Sequence, residues 1–396
     1  MKDFLYRNST QIVFGVNKVD EVGVIIKPFG NKVLLVYGCQ SIKQSGLYQR
    51  IQDNLNRSGL QVIDHGGVQS NPVVCHAREG VSLAKKHKVD CVLAVGGGSV
   101  IDESKVIAFG ALTENDIWGF FLGKSGKPEK ALPIITVPTL AGTGSEMNPG
   151  AVLSDPDNKQ KLGLGSLCLS PAVSILDPTL TLTVSVKNTM FGLVDAFSHV
   201  LESYLNGEDD AVCPIQDSFA EGLFCNLLEI SKVLFREPQN LLYRSHAMWA
   251  ACLANNVLLK TGRGKILYEI HGVAHLLGGL FNIQHGAAIA VAMPAWLNFR
   301  KDKKQKRIEQ FTARVFGRSE MGVAEMQNWL FSIKAPCSLP ELEIEINKRS
   351  LIIEGLLFVP EIKGLSRQQT EQIVDLMFNA HEAAMKPVSE VFKNER

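Results

Sequence analysis

The texture of this chain changes near residue 185, and that change narrows the folds open to it. Up to that point short apolar β-rich runs alternate with helical segments; beyond it helical periodicity continues with no strands between. Residues 33–37 form an unbroken apolar run ending at Gly38, the pattern of a strand covered on both faces. Residues 43–57 read as an amphipathic helix closed by Gly59, residues 60–63 restart a strand, and residues 73–88 suit a helix. Residues 91–95 and 132–137 are further buried strands, and a last strand-like run, 173–176, ends just before Asp177-Pro178. Strand, turn, helix and strand in this rhythm predict a parallel α/β sheet. Helical periodicity then marks segments near 187–206, 211–235, 241–261, 265–279, 286–299, 302–316, 320–334 and 366–384. The expectation is an α/β domain over residues 1–185 and an all-α domain over residues 186–396.

The chain's 396 residues leave room for two substantial cores. Lys and Arg total 41 against 40 for Asp and Glu, so the charge gives no support to a nucleic-acid partner. One basic run, residues 300–307, contains no aromatic residue and is interrupted by Asp302; it reads as a solvated helix face. The eight cysteines are scattered with no C-x-x-C pair, which suits small apolar residues in a reducing compartment. The N-terminus lacks the apolar core of a signal peptide, and no stretch approaches the ~18 apolar residues of a membrane span. A cytoplasmic protein with neither a membrane nor a nucleic-acid partner is expected.

Gly96-Gly97-Gly98-Ser99 follows a strand directly and opens a helix that includes Asp102. Glycines there let the backbone approach a pyrophosphate, and the free amides of a helix start supply donors. The loop is neither G-x-G-x-x-G nor a Walker loop. A second loop of small and hydroxyl residues, 139–146, carries Thr139 and Thr143 and again follows a strand. Two such loops at neighbouring strand ends form the crevice in which open α/β sheets bind nucleotides.

The helical half holds a different chemistry. Asp195 and His199 are spaced i, i+4 and point from one helix face. His271 and His275 repeat that spacing, and His285 follows ten residues after His275. Desolvating so many imidazoles without a shared partner is costly, so a divalent metal is indicated. Carboxylate and imidazole donors without thiolates suit Fe(II) or Zn(II). The spacing alone leaves open which of the clustered histidines are ligands. A zinc-protease helix is disfavoured, because Gly272 stands where that motif needs Glu.

On these residues the chain resembles the iron-containing (group III) alcohol dehydrogenase family. The matching elements are Gly96 to Ser99 with Asp102 and Lys105, Pro138-Thr139, residues 142–146, Asp177-Pro178, Asp195-x-x-x-His199 with Glu202, and His271-x-x-x-His275 followed by His285. They span nearly the whole chain in the family's order, and the chain looks most like the NADPH-dependent aldehyde reductase and butanol dehydrogenase branch. The resemblance implies a Rossmann-like nucleotide-binding domain joined to an all-α domain, the dehydroquinate synthase-like architecture. It implies the metal ligands Asp195, His199, His271 and His285. It sets His275 beside the nicotinamide, as a candidate proton relay, with Lys161 near the ribose and Thr139 and Thr143 along the cofactor. NAD-preferring members carry an acidic residue just after the first nucleotide strand. Here that place is Gly38, with Ser41 and Lys43 close behind, so NADP(H) is favoured over NAD(H).

The activity expected is hydride transfer between NADP(H) and small aldehydes or primary alcohols. The alternatives are a dehydroquinate synthase-type lyase, a metallohydrolase, and an inert binding module. The lyase needs cationic groups around its substrate, whereas Phe191, Val194, Phe197, Val200, Leu276, Leu277, Leu280 and Phe281 neighbour the ligands in sequence. These suggest a small, uncharged, somewhat apolar substrate. Residues 2–15 alternate in strand fashion and could pair with a second subunit's edge, so a homodimer is expected.

Overall fold

The computed structural model describes residues 1–208, 211–317 and 322–379. Runs such as 33–36 and 91–95 have no exposed side chain, so they need cover on both faces, and they have it. Val33, Leu35, Cys91, Leu93 and Val95 enter one apolar cluster, while Leu34, Val36, Val92 and Ala94 enter another on the opposite side. The sequence runs β1 (Gln11–Phe14), α1 (Val22–Ile26), β2 (Lys32–Gly38), α2 (Ser41–Gln44), α3 (Leu47–Arg57), β3 (Gln61–Val68), α4 (Val74–His87), β4 (Cys91–Gly96), α5 (Gly98–Gly110), α6 (Ile117–Phe121), β5 (Ile134–Pro138), β6 (Gly150–Asp155), β7 (Gln160–Gly165) and β8 (Val173–Leu176). Six strands form one parallel sheet in the order β1-β8-β5-β4-β2-β3, and β6 and β7 form an antiparallel hairpin. The chain turns from β2 to β3 on one side and then crosses back to lay β4 on the other. The switch point therefore lies between β2 and β4, where open α/β sheets bind ligands.

Helices follow: α7 (Val186–Leu205), α8 (Pro214–Arg236), α9 (Leu241–Ala254), α10 (Glu269–Phe281), α11 (His285–Arg300), α12 (Gln305–Phe316), α13 (Gly322–Ser332), α14 (Arg349–Leu356) and α15 (Arg367–Phe378). Ser185 caps α7, its hydroxyl accepting from the Asn188 amide at 3.2 Å. From Thr189 to Leu205 α7 is buried on every face, which makes it the central rod of the helical layer.

Several expectations are corrected. Of residues 2–15 only Gln11–Phe14 form a strand, β1, which pairs in parallel with β8 and stands at the edge of the sheet. The β6–β7 hairpin and α14 are not among the expected elements. The helix expected to reach residue 261 stops at Ala254 and gives way to a 3-10 turn, Val257–Lys260. The helices expected over 320–334 and 366–384 extend partly outside the described residues. The basic run is not one solvated face. Arg300 pairs with Glu269, and Arg307 pairs with Asp217 while lying 3.8 Å from the Tyr204 ring centroid. Among the described residues no helix is long and apolar enough to cross a membrane.

Candidate active site

Three strands end side by side at the switch point. Tyr37 aligns with Val95, and Gly96 with Pro138, so Gly38, Gly97 and Thr139 leave the sheet together. The Thr139 amide donates to the Gly96 carbonyl at 3.0 Å, tying the two loops. Gly97 caps α5, aiming its amide-rich positive end out of the sheet edge. At Gly98 a Cβ would lie 2.4 Å from a carbon of Thr143, so only glycine lets the second loop close over the helix start. Beneath the loops α5 is anchored. Oδ1 of Asp102 accepts from the Ser145 hydroxyl at 2.6 Å and Oδ2 accepts from the Val152 amide at 2.9 Å, while burial pushes the carboxyl's pKa up. The buried Lys105 ammonium donates to Ser145, to Asn148 and to the Gly150 carbonyl at 2.7–3.1 Å, and its pKa falls to about 8 through burial. Both residues lock the β6–β7 hairpin onto α5. That hairpin presents Lys161, held by Asn71 Oδ1 at 2.9 Å and lowered to about 8, again by burial.

The helical layer meets these loops through a backbone contact. A Cβ on Gly142 would lie 3.0 Å from the Gly192 Cα, and one on Gly192 would lie 2.0 Å from the Ala141 carbonyl oxygen. One turn beyond Gly192, α7 presents Asp195 and then His199; α10 adds His271 and His275, and α11 opens with His285. Asp195 Oδ1 is the centre: His271 Nε2 lies 3.4 Å away, His285 Nε2 3.6 Å and His199 Nδ1 3.7 Å. All are beyond hydrogen-bond length or geometry. Among the described residues Asp195 Oδ1, His199 Nδ1 and His271 Nε2 are buried polar atoms without a partner. Orphaned acceptors converging on one point are what a cation between them requires. The residues fit a metal.

Electrostatics agree with that polarity. Burial opposes ionisation of Asp195, yet the neighbouring histidines hold its carboxyl well below the usual range. Burial also keeps His199 neutral and takes His285 down to about 3. His271 is pulled down by burial too, but Glu202 and Asp195 together raise it to about 9. Glu202, fully buried on α7, hydrogen-bonds Nδ1 of His271 and accepts from the Ile270 amide. It orients the ring so that Nε2 faces Asp195. His275 lies one turn further along α10. Its ring stacks on His285 with centroids 5.3 Å apart, and burial, then Lys161, keep it neutral.

One cavity of about 490 Å³ collects Gly98, Ser99, Asp102, Thr143, Lys161, Asp195, His199, His271, His275 and His285. Gly38, Ser41, Lys43, Gly96, Gly97 and Thr139 are not among its walls; they lie along the sheet edge that leads to it. Lys43 sits 5.2 Å from the ring centroids of both Tyr37 and Tyr48. None of the eight apolar residues read from the neighbourhood of the ligands lines the cavity, because Val194, Phe197, Val200 and Leu277 point into the helical core instead. The walls carry Lys260, Tyr268 and Asn255, which sequence reasoning missed. Nothing in their spacing distinguishes them. Glu202 was legible, since Asp195, His199 and Glu202 fall at i, i+4 and i+7 on one face.

Residues 9–178 match the family model "Iron-containing alcohol dehydrogenase" and residues 189–357 match "Fe-containing alcohol dehydrogenase family, C-terminal". The chain is similar to a probable NADH-dependent butanol dehydrogenase of Bacillus subtilis, with 38% identity over 81% of this chain and 82% of that protein. It is also similar to the NADPH-dependent aldehyde reductase YqhD of Escherichia coli, with 32% identity over 87% and 90%. The crystal structure of NADH-dependent butanol dehydrogenase A from Thermotoga maritima superposes with a TM-score of 0.91 at 36% identity, covering 96% of this chain and 99% of that one. The chain belongs to the iron-containing alcohol dehydrogenase family, oxidoreductases that use a nicotinamide cofactor and one metal.

Proposed function

We propose that this enzyme interconverts small aldehydes and primary alcohols with NADP(H) as the preferred cofactor, through a divalent metal held by Asp195, His199, His271 and His285. The observation that carries the reading is the convergence of unpartnered donor atoms on Asp195 Oδ1 in the cavity that contains the α5 glycine loop. When bound, the metal supplies a Lewis acid for a carbonyl oxygen, and the nicotinamide supplies or accepts the hydride. The chain does the rest. Amides at the start of α5 bind the pyrophosphate, and Lys161 orients the adjoining ribose. In alcohol oxidation the neutral imidazole of His275 would take the proton of the substrate hydroxyl, and in aldehyde reduction the imidazolium so formed would return it. Glu202 keeps His271 in its ligating tautomer. NADP(H) is supported by the lack of a carboxylate at Gly38 and by the nearby Ser41 and Lys43, which suit a 2′-phosphate. Domains dividing at residue 185 suit this arrangement, each contributing one wall.

The test is loss of nicotinamide absorbance at 340 nm with butanal, comparing NADPH with NADH. Oxidation of NADPH at the higher kcat/KM is expected. Equal or better use of NADH would overturn the cofactor preference, and no oxidation of either by metal-loaded protein would overturn the whole reading.

A further inference from the structure

One buried group of titratable side chains plays no part in this chemistry. His65 of β3, His76 of α4 and Glu103 of α5 meet behind the start of α5, with Glu103 one residue beyond Asp102. The Glu103 side chain is fully buried, while those of His65 and His76 are 5% and 19% exposed. Glu103 Oε1 lies 2.6 Å from His76 Nδ1 and 3.3 Å from His65 Nε2. Its Oε2 is buried without a partner among the described residues. The two imidazoles stack, with centroids 4.2 Å apart. The outer nitrogen of His76, Nε2, faces the Gly66 carbonyl at 3.3 Å.

We propose that His65, His76 and Glu103 form a second divalent-metal site, of the zinc type and separate from the Asp195 cluster. Two imidazole nitrogens and a carboxylate oxygen, each from a different element, lie within 4.8 Å of one another. Neutral imidazoles and a carboxylate are a donor set that Zn(II) accepts, with a fourth position left for water. A tetrahedral ion with bonds of about 2.0–2.1 Å spaces its donors about 3.3 Å apart. The His65–Glu103 pair already has that spacing, and the His76–Glu103 pair reaches it by opening about 0.7 Å from its present hydrogen bond. The orientation of His76 is the second argument. An N–H bond from Nε2 to the Gly66 carbonyl holds the ring with Nδ1 on Glu103, the outer contact that metal-binding histidines make, so an ion that displaces the Nδ1 proton finds the ring already oriented. The third is the carboxylate itself. A sealed carboxylate with one oxygen unpaired is costly, and an ion provides charge for both oxygens.

The partial exposure of His76 gives an ion a way in and a place for water. The site would join β3, α4 and α5 beneath the glycine loop, since Glu103 and that loop share one helix. Its role is structural: it holds the floor of the nucleotide crevice, and no bond is made or broken there.

The experiment is metal analysis of the full chain after dialysis against excess Zn(II) and then against metal-free buffer. Two equivalents are expected in the natural chain, one in His76→Asn and one in His271→Ala, with none in the double variant. Glu103→Gln should also hold one; if it does not fold, the part-exposed His76→Asn carries the test. A single equivalent that His271→Ala abolishes, or two equivalents persisting in His76→Asn, overturns the second site. A single equivalent that only His76→Asn abolishes overturns the Asp195 assignment instead, so the two failures are distinguishable.

Discussion

Among the described residues two clusters of histidine and carboxylate occur, and the same donor types sit in opposite surroundings. The Asp195 cluster lies where two layers meet, its imidazole nitrogens 3.4–3.7 Å from Asp195 Oδ1 and facing a cavity of about 490 Å³. The Glu103 cluster lies inside one layer, packed under Gly80, where a Cβ would come within 2.8 Å of His65 Nε2. Its members are already closed on one another: the Glu103 hydrogen bond raises the pKa of His76 above its ordinary value. Donor type governs which ion a site accepts. Access to a pocket that also holds an anion-binding helix end governs whether the ion meets a substrate.

The strongest way to break this contrast is His271→Ala. Turnover should fall on the order of 10³-fold, with loss of one metal equivalent; metal analysis beside the 340 nm assay checks it, and full turnover with metal retained would refute the ligand set. Glu202→Gln tests how the open cluster is oriented. It should weaken metal affinity about 10–100-fold by equilibrium dialysis, and unchanged affinity would reduce Glu202 to a packing role. Gly38→Asp addresses the crevice the open cluster faces. A side chain there has room, with its nearest contacts at 3.7 and 3.9 Å. The NADPH/NADH ratio of kcat/KM should fall about 10-fold, roughly 1.4 kcal/mol; a constant ratio removes Gly38 from cofactor choice. The smallest effect is expected at the closed cluster. His76→Asn should change kcat less than about twofold, because no substrate reaches it. A drop as large as that of His271→Ala would erase the distinction between the clusters.

The sequence carried the sheet because strands buried on both faces leave unbroken apolar runs, as in 33–37 and 91–95. The open cluster was legible too, since helical spacing puts Asp195 and His199 on one face. The closed cluster was not. His65, His76 and Glu103 come from three elements whose approach only the tertiary fold creates. The β6–β7 hairpin escaped because β7 is largely exposed and holds Gly163 and Gly165, which weaken any alternation. The apolar neighbours of the ligands misled for a related reason. A helix buried all round, as α7 is, has apolar residues on every side, so sequence proximity to Asp195 says nothing about which of them face substrate.

The place where Gly142 rests on Gly192 sets a tolerance for the whole machine. No side chain lies between the two layers there to absorb an error, so a single added methyl acts as a spacer driven into a hinge. It would carry the glycine loops away from the four donors while leaving each half intact. Misplacing reacting groups by about 1 Å can cost on the order of 10²-fold in rate. On the proposed function, the pace of hydride transfer thus depends partly on a contact between two stretches of backbone.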